Sequence, residues 1–286
     1  MDGFIIGYKP KGMTSFSFCN KIRKKLNVNK VGHCGTLDPN AEGLMILGIN
    51  TATKMMKFFD EHEKTYITRI VFGYDSKTLD MDSEITKDIK MDVNMADLKE
   101  KLAMLKEKKT QLPPMISSIK VNGRKLYQYA VKNIDVEVKE RDVNIISYEI
   151  LSDLEMVDNH FEIDIKLEVS KGYYIRSFAR DLGSLLGGCA IVKELKRVAI
   201  DKYDESMSVT LDNITEDVVI KPWDFFKYEI IDVDDYIAKL CKNGVILDER
   251  QTNTINPFYV RNNDKIIALY EPIEDNKYKL VALFGD

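Results

Sequence analysis

Apolar and polar positions alternate most cleanly from Phe161 to Val169. There Phe161, Ile163, Ile165, Leu167 and Val169 face one way, and the residues between them are charged. A two-residue period of this kind predicts a strand with one face in the core, as in an antiparallel sheet. Tyr66, Thr68, Ile70 and Phe72 oppose Ile67, Arg69 and Val71 in the same manner, and Phe4–Ile6 and Leu44–Ile49 read as shorter strands. Elsewhere the period is helical. Phe18, Ile22 and Leu26 form one stripe behind Thr14 or Ser15, either of which can cap the helix, while Lys21, Arg23, Lys24 and Lys25 lie largely off it. Leu98, Leu102 and Leu105 mark a helix from Met95 that Pro113-Pro114 stops, Thr53–Phe59 reads as helix, and Tyr174 to Leu186 forms an amphipathic one. Residues 115–132 predict a strand, a turn at Asn122-Gly123 and a short helix containing Leu126, Tyr129 and Ala130. Two stretches carry no period: residues 32–43, expected as an ordered loop or as disordered, and the acidic, polar residues 75–90, expected as a loop.

These strands rarely alternate with single crossover helices, and neither GxGxxG nor GxxxxGK[ST] occurs. The fold class that follows is α+β with a mixed, largely antiparallel sheet. A seam falls at 222–232, where Pro222-Trp223 precedes an acidic stretch. Beyond it a helix at Tyr236–Leu240 and strands near Tyr259-Val260, Lys265–Leu269 and Tyr278–Phe284 make a small β-rich appendage, short for independent stability.

Composition narrows the class. Hydrophobic residues at 44% and charged residues at 31% are ordinary for a soluble globular chain. Apolar runs such as Gly43–Ile49 fall far below the roughly 18 residues a bilayer-spanning helix needs. The N-terminus, an acid followed by a strand-like segment, does not read as a signal peptide. Cys19, Cys34, Cys189 and Cys241 are scattered without a CxxC pair, which suits free thiols in a reducing cytoplasm better than a disulfide framework or a zinc site. Net charge is -4, but its distribution is uneven. Residues 1–60 carry nine Lys/Arg against four Asp/Glu, residues 106–132 seven against one, and residues 203–286 nine against seventeen. A basic front with an acidic tail fits a polyanion-binding body; simple solvated charge is the alternative.

Candidate chemistry concentrates in Gly32-His33-Cys34-Gly35-Thr36-Leu37-Asp38-Pro39. Glycines permit tight backbone placement and Pro39 restricts Asp38 to extended conformations, so a carboxylate is held at the lip of a loop. The bland alternative is that Asp38 caps a turn and His33 is a satisfied polar residue. A metal or thiol-nucleophile reading of His33, Cys34 and Asp38 lacks the ligand spacing of metal motifs.

The stretch Gly32-His-Cys-Gly-Thr-Leu-Asp-Pro-Asn-Ala-Glu-Gly-Leu44 is similar to GHxGxLDPxAxGxL, the signature of the bacterial tRNA pseudouridine-55 synthase family. Lys9-Pro-Lys-Gly-Met-Thr-Ser15 resembles its opening KPxGxTS segment, and Ala52-Thr-Lys54 and Lys64-Thr-Tyr66 follow in order. Leu112-Pro-Pro-Met-Ile-Ser-Ser118 with Lys120, Gly123 and Tyr127 resembles the next block. Ser170-Lys-Gly-Tyr-Tyr-Ile-Arg176, Asp181-Leu-Gly183 and Leu195-Lys-Arg197 complete the pattern over roughly residues 4–200. Cys34 stands where threonine is commoner in the family, and Val131-Lys132 replaces a usual arginine-glycine.

The resemblance implies isomerisation of a T-loop uridine of tRNA to pseudouridine: the C1'–N1 bond breaks, the uracil rotates while held, and C5 rejoins C1'. It implies no metal, nucleotide or organic cofactor, the tRNA T-arm as partner, no obligatory protein partner and no membrane. Asp38 corresponds to the catalytic aspartate, acting as nucleophile or charge stabiliser in its ionised form. Tyr66 corresponds to the tyrosine stacked on the target base, where the alternative is an ordinary core tyrosine. Arg176 corresponds to an arginine that pairs with the aspartate and lowers its pKa, where the alternative is an exposed salt bridge. Tyr174 and Leu195 would help form the base pocket. His33 would contact RNA near the flipped base without acid–base work, and Lys9, Lys54 and Lys171 are candidates for phosphate or structural contacts. Residues 1–227 are expected as the catalytic domain, with 106–132 a basic insertion that closes over RNA, and 228–286 resembles a small RNA-binding PUA domain, whose seven basic and eleven acidic residues argue for a weak contact. Two other functions compete: a noncatalytic tRNA-binding or tRNA-folding protein, and a structural component of an RNA–protein particle. Asp38, Tyr66 and Arg176 together favour the enzyme.

Overall fold

The computed structural model describes residues 1–59 and 62–285. Its first elements are β1 (Gly3–Lys9), α1 (Ser15–Lys25), β2 (Val31–Cys34), β3 (Glu42–Ile49), a 3₁₀ helix at Asn50–Phe59 and β4 (Lys64–Phe72), all but β2 following the sequence pattern. Thr14 caps α1 by accepting from the Ser17 N–H at 3.0 Å, which satisfies one of the open donors of its first turn. The hairpin β5 (Tyr74–Ser76) and β6 (Ile85–Asp88) precedes α2 (Met95–Glu107), and α3 (Leu126–Val131) and α4 (Ile175–Leu185) complete the helices that bear on the site.

A ten-stranded sheet forms the body. Its main path runs from the Ile145–Ile150 strand through His160–Val169, β4, Ala190–Ile200, β3 and β1 to Val209–Thr210. Along that path the β3 pairing with Ala190–Ile200 and the β1 pairing with Val209–Thr210 are parallel, and the others are antiparallel. The fold is therefore α+β with a mixed, largely antiparallel sheet. The parallel join at its centre sets the site: Arg197 sits in register with Gly43 of β3 on one side and Tyr66 of β4 on the other. One sheet face is closed by α1, α2 and α4, which bury Phe18, Ile22, Leu98, Leu102, Phe178 and Leu182 against Ile70, Ile163 and Leu167. Burying such side chains contributes about 1.5–3 kcal/mol each.

Two expected loops are strand in part, with residues 35–41 and 77–84 remaining loop and turn between the strands. Residues 31–34 form β2, pairing antiparallel with β3 from Val31↔Ile49 to Cys34↔Ile46. Its pattern is invisible in sequence because Gly32 lies opposite Gly48 and supplies no side chain to alternate. Residues 74–88 form the β5–β6 hairpin, whose tip is fastened to the body: Val192 N–H donates to the Leu79 carbonyl at 3.1 Å.

The C-terminal residues form a separate five-stranded sheet in the order Glu229–Asp232, Phe258–Asn262, Lys265–Ile273, Lys277–Leu283 and Leu247–Asp248. One side buries Phe258, Tyr270 and Tyr278 with Ala238 and Cys241 of the Asp235–Lys242 helix. The other sends Tyr259, Leu269, Val281 and Ala282 into a cluster shared with Phe4, Phe59 and Phe225 of the body. The appendage thus borrows core from the main sheet, which answers its small size. Among the described residues no helix is long and apolar enough to cross a membrane, and no disulfide joins the cysteines.

Candidate active site

Asp38 lies on a loop held at both of its neighbours. Ser15, at the start of α1, donates its Oγ hydrogen to the Leu37 carbonyl and accepts from the Leu37 N–H, each at 2.9 Å. On the other side the Pro39 carbonyl accepts from Gly12 N at 2.9 Å and from Lys9 Nζ at 3.3 Å. Two sequence blocks separated by the whole of α1 are therefore one structural unit, with Lys9–Ser15 as the cradle of the Asp38 loop.

Helix α4 carries the counter-charge. Arg176 is only 5% exposed. Its Nε lies 2.8 Å from Asp38 Oδ2 and its Nη2 donates to Asp38 Oδ1 at 3.2 Å, a two-pronged grip. The remaining donors are aimed by carbonyls: Nη1 donates to Thr78 O at 2.8 Å and Nη2 also to Ile116 O at 3.0 Å. The arginine is buried, so the exposed salt bridge is not what forms. Asp80, from the hairpin tip, stands 3.8 Å from Arg176 Nε. Burial pushes the Asp38 carboxyl above its ordinary range, Arg176 opposes that push and Asp80 adds to it. The arginine lowers the carboxylate pKa as expected, but burial outweighs it, although 36% of the Asp38 side chain stays accessible. Asp82 is likewise raised, by burial and by the charges of Asp80 and Asp38.

Leu195 lines the same pocket as Asp38 and Arg176, together with Asn40, Asp80 and Asp82. Tyr66 is buried on β4 opposite Arg197, and Thr68 is opposite Leu195. Directly opposed residues of an antiparallel pair share a sheet face, so Tyr66 and Leu195 lie on the same one. Tyr174 is the N-cap of α4. Its main chain is clasped by Gln111, whose Oε1 accepts from Tyr174 N at 2.9 Å and whose Nε2 donates to Tyr174 O at 3.1 Å. The front of the 106–132 stretch is thereby stitched to the helix that bears Arg176: Leu112 O also accepts from Ser177 Oγ and Arg180 Nη2, both at 2.9 Å.

The remaining candidates separate. His33, half-buried on β2, has its Nδ1 buried without a hydrogen-bond partner among the described residues. Burial and the charge of Arg197 lower its pKa, so the ring is neutral near pH 7. Lys9 is fully buried, with its ammonium on the carbonyls of Pro10, Met13 and Pro39, and burial lowers its pKa to about 8. Of its two expected roles this geometry is the structural one. Lys54 is exposed beside Lys30 in a surface groove. Lys171 is exposed at a cavity of about 460 Å³ that also touches Tyr174 and Arg141. Sequence reasoning missed Asp80, Asp82 and Gln111. The two acids sit in a stretch whose charge reads as solvent-facing, and their proximity to Arg176 is a long-range contact with no local signature.

Two family models cover most of this body. The model for the N-terminal domain of TruB family pseudouridylate synthase matches residues 23–175. That for the tRNA pseudouridylate synthase B C-terminal domain matches residues 176–224. The chain is 38% identical to tRNA pseudouridine synthase B of Acholeplasma laidlawii over 288 residues, covering 99% of this chain and 100% of that protein. It is 36% identical to the protein of that name from Aster yellows witches'-broom phytoplasma, covering 97% and 98%. A chain in the crystal structure of a Cbf5–Nop10–Gar1 complex shares the fold with a TM-score of 0.67 at 20% identity, covering 99% of this chain and 84% of that one. With relatives this similar across nearly its full length, the chain belongs to the TruB family of pseudouridylate synthases.

Proposed function

We infer that the protein converts the T-loop uridine at position 55 of tRNA to pseudouridine, with Asp38 as the catalytic carboxylate. The observation that carries this reading is the Asp38–Arg176 pair: a carboxylate on a braced loop, gripped by a buried arginine whose other donors are fixed by main-chain carbonyls. Burial destabilises the anion, and Arg176 opposes that effect by its charge and its hydrogen bonds. A carboxylate in that state is reactive, because bonding to an electrophilic carbon relieves the cost of its charge. The isomerisation breaks C1'–N1, joins C5 to C1', removes the C5 proton and returns a proton to N1, so the overall composition is unchanged.

In this reading Tyr66 offers its ring to the extruded uracil, Tyr174 and Leu195 wall the pocket, and His33 contacts RNA as a neutral ring. Lys54 and Lys171 meet phosphates of the T-arm, and Lys9 holds the Asp38 loop. Residues 1–227 act as the catalytic domain and 228–286 as an accessory RNA-facing domain, and the enzyme works in the cytoplasm, where tRNA is processed.

The test incubates purified protein with an unmodified tRNA transcript and maps pseudouridine at nucleotide resolution, with Asp38→Ala and Asp38→Asn alongside and RNA binding measured separately. Product at the T-loop uridine, lost in both variants while binding persists, is the expected result. A correctly folded transcript left unmodified by the wild type overturns the enzyme reading in favour of a tRNA-binding or tRNA-folding protein. Equal product from the variants removes Asp38 from the chemistry.

A further inference from the structure

Among the described residues Arg197 is the largest fully buried side chain, at 1% exposure, and it lies behind the Asp38 loop, apart from the Arg176 grip. Its Nε donates to the Leu44 carbonyl at 2.8 Å and its Nη2 to the Gly35 carbonyl at 3.1 Å. Those two carbonyls bracket the loop, one where the chain leaves β2 and the other where it has entered β3. Its main chain meanwhile pairs with Gly43 of β3 and with Tyr66 of β4. Both glycines of the loop make room for it. At Gly43 (φ 115°) a Cβ would fall 2.2 Å from the Arg197 carbonyl oxygen, and at Gly35 (φ 73°) one would fall 3.2 Å from Arg197 Nη1.

Burying a guanidinium costs more than burying an apolar side chain of similar size, so packing alone does not call for one here. What arginine supplies is a rigid plane with donors at fixed separation, able to hold two carbonyls at once. Lysine carries its donors on a single rotating nitrogen and lacks that fixed spacing. We propose that Arg197 is a positioning residue of the reaction, tying both ends of the Asp38 loop to the strand that pairs with Tyr66 and so fixing the carboxylate relative to that ring.

The inference rests on the pseudouridylation reading, and wild-type turnover in the same assay separates the two. No wild-type product overturns both. With wild-type product in hand, Arg197→Lys keeps the buried charge but replaces two nitrogens at fixed separation with one freely rotating ammonium. Its single-turnover rate is expected to fall about ten- to a hundredfold with tRNA Kd within about twofold of wild type, since small misplacements of a reacting group cost that much. Amide hydrogen exchange across residues 35–43 should rise while the rest of the sheet keeps its protection. Arg197→Ala should be slower still, and ethylguanidinium ion should restore part of its rate. A wild-type rate in folded Arg197→Lys overturns the proposal, as does a rate loss matched by equal loss of tRNA affinity. Folded Arg197→Ala that ethylguanidinium leaves unrescued also overturns it. If Arg197→Ala does not fold, the Arg197→Lys rate and exchange decide.

Discussion

Ser15 holds Leu37 by both of its main-chain groups, donating to its carbonyl and accepting from its N–H at 2.9 Å each. Both Ser15 and Leu37 are buried, so removing the hydroxyl leaves two main-chain groups without that partner. Ser15→Ala is expected to cost about 1–3 kcal/mol, the usual price of unsatisfied buried groups. Because Leu37 adjoins Asp38, the turnover rate should fall more than tRNA affinity. Thermal melts with single-turnover kinetics and filter binding check this; a loss confined to Tm would show that Ser15 stabilises the fold without setting the carboxylate.

Asp38 should also leave a signature in stability against pH. Burial raises its folded pKa, so the folded chain holds that proton more tightly than the unfolded one. The resulting contribution to stability is fully present below the unfolded value of about 3.9 and is lost as pH rises through the folded value. Asp38→Asn cannot titrate there. The Tm of the wild type minus that of Asp38→Asn should therefore shrink as pH climbs from about 4, the unfolded value, through the raised folded value. A difference that stays flat or widens with pH would contradict the burial account. In turnover, the acid limb of the wild-type profile should lie above the range of an ordinary carboxylate.

The elements legible in sequence are those with one face in the core. Tyr66, Thr68, Ile70 and Phe72 are all buried, and so are Phe18, Ile22 and Leu26, because a period of two or of nearly four is enforced wherever one side meets apolar neighbours. Glu162 shows where that logic fails. It lies among charged positions of the His160–Val169 strand yet is 3% exposed, because Arg69 of the adjacent strand and Lys193 of the strand beyond it reach it. Asp80 escapes for the same reason, its neighbour Arg176 being far away in sequence. The site itself was legible only through ordered family blocks. Local physics gave a constrained acid at Asp38, and nothing near residue 176 in sequence announces that its side chain reaches that acid.

The three lysines assigned to RNA or structure should separate by salt dependence. Lys54 and Lys171 are exposed, whereas Lys9 is fully buried on three carbonyls. Each true phosphate contact contributes about 0.7–0.9 to the slope of log affinity against log salt. Lys54→Ala or Lys171→Ala is expected to flatten that slope by about this amount and to leave turnover at saturating tRNA intact. Lys9→Met should leave the slope unchanged, lower Tm by an amount equivalent to about 1–3 kcal/mol, and slow turnover through the loosened Pro39 end of the loop. Titration of tRNA binding at several salt concentrations decides; a flattened slope in Lys9→Met would place its ammonium on RNA.

The C-terminal sheet and the body share a core, and this has a consequence for unfolding. Phe225 lies 4.6 Å from Phe4 and 5.4 Å from Phe59 between ring centroids, and stacks on Tyr203 at 4.7 Å. Tyr259 of the C-terminal sheet is fully buried in the same cluster, and its hydroxyl donates to the Pro222 carbonyl at 2.7 Å. Phe225→Ala empties the centre of this cluster and is expected to cost about 3–5 kcal/mol. Tyr259→Phe removes only the hydrogen bond and should cost about 1 kcal/mol, with the stranded carbonyl setting the upper end. Since the shared cluster joins the two sheets, the wild type should melt in one calorimetric transition, and Phe225→Ala should uncouple it into two with the C-terminal sheet lost first. Two well-separated transitions in the wild type would show instead that the sheets are stable units joined by a weak contact.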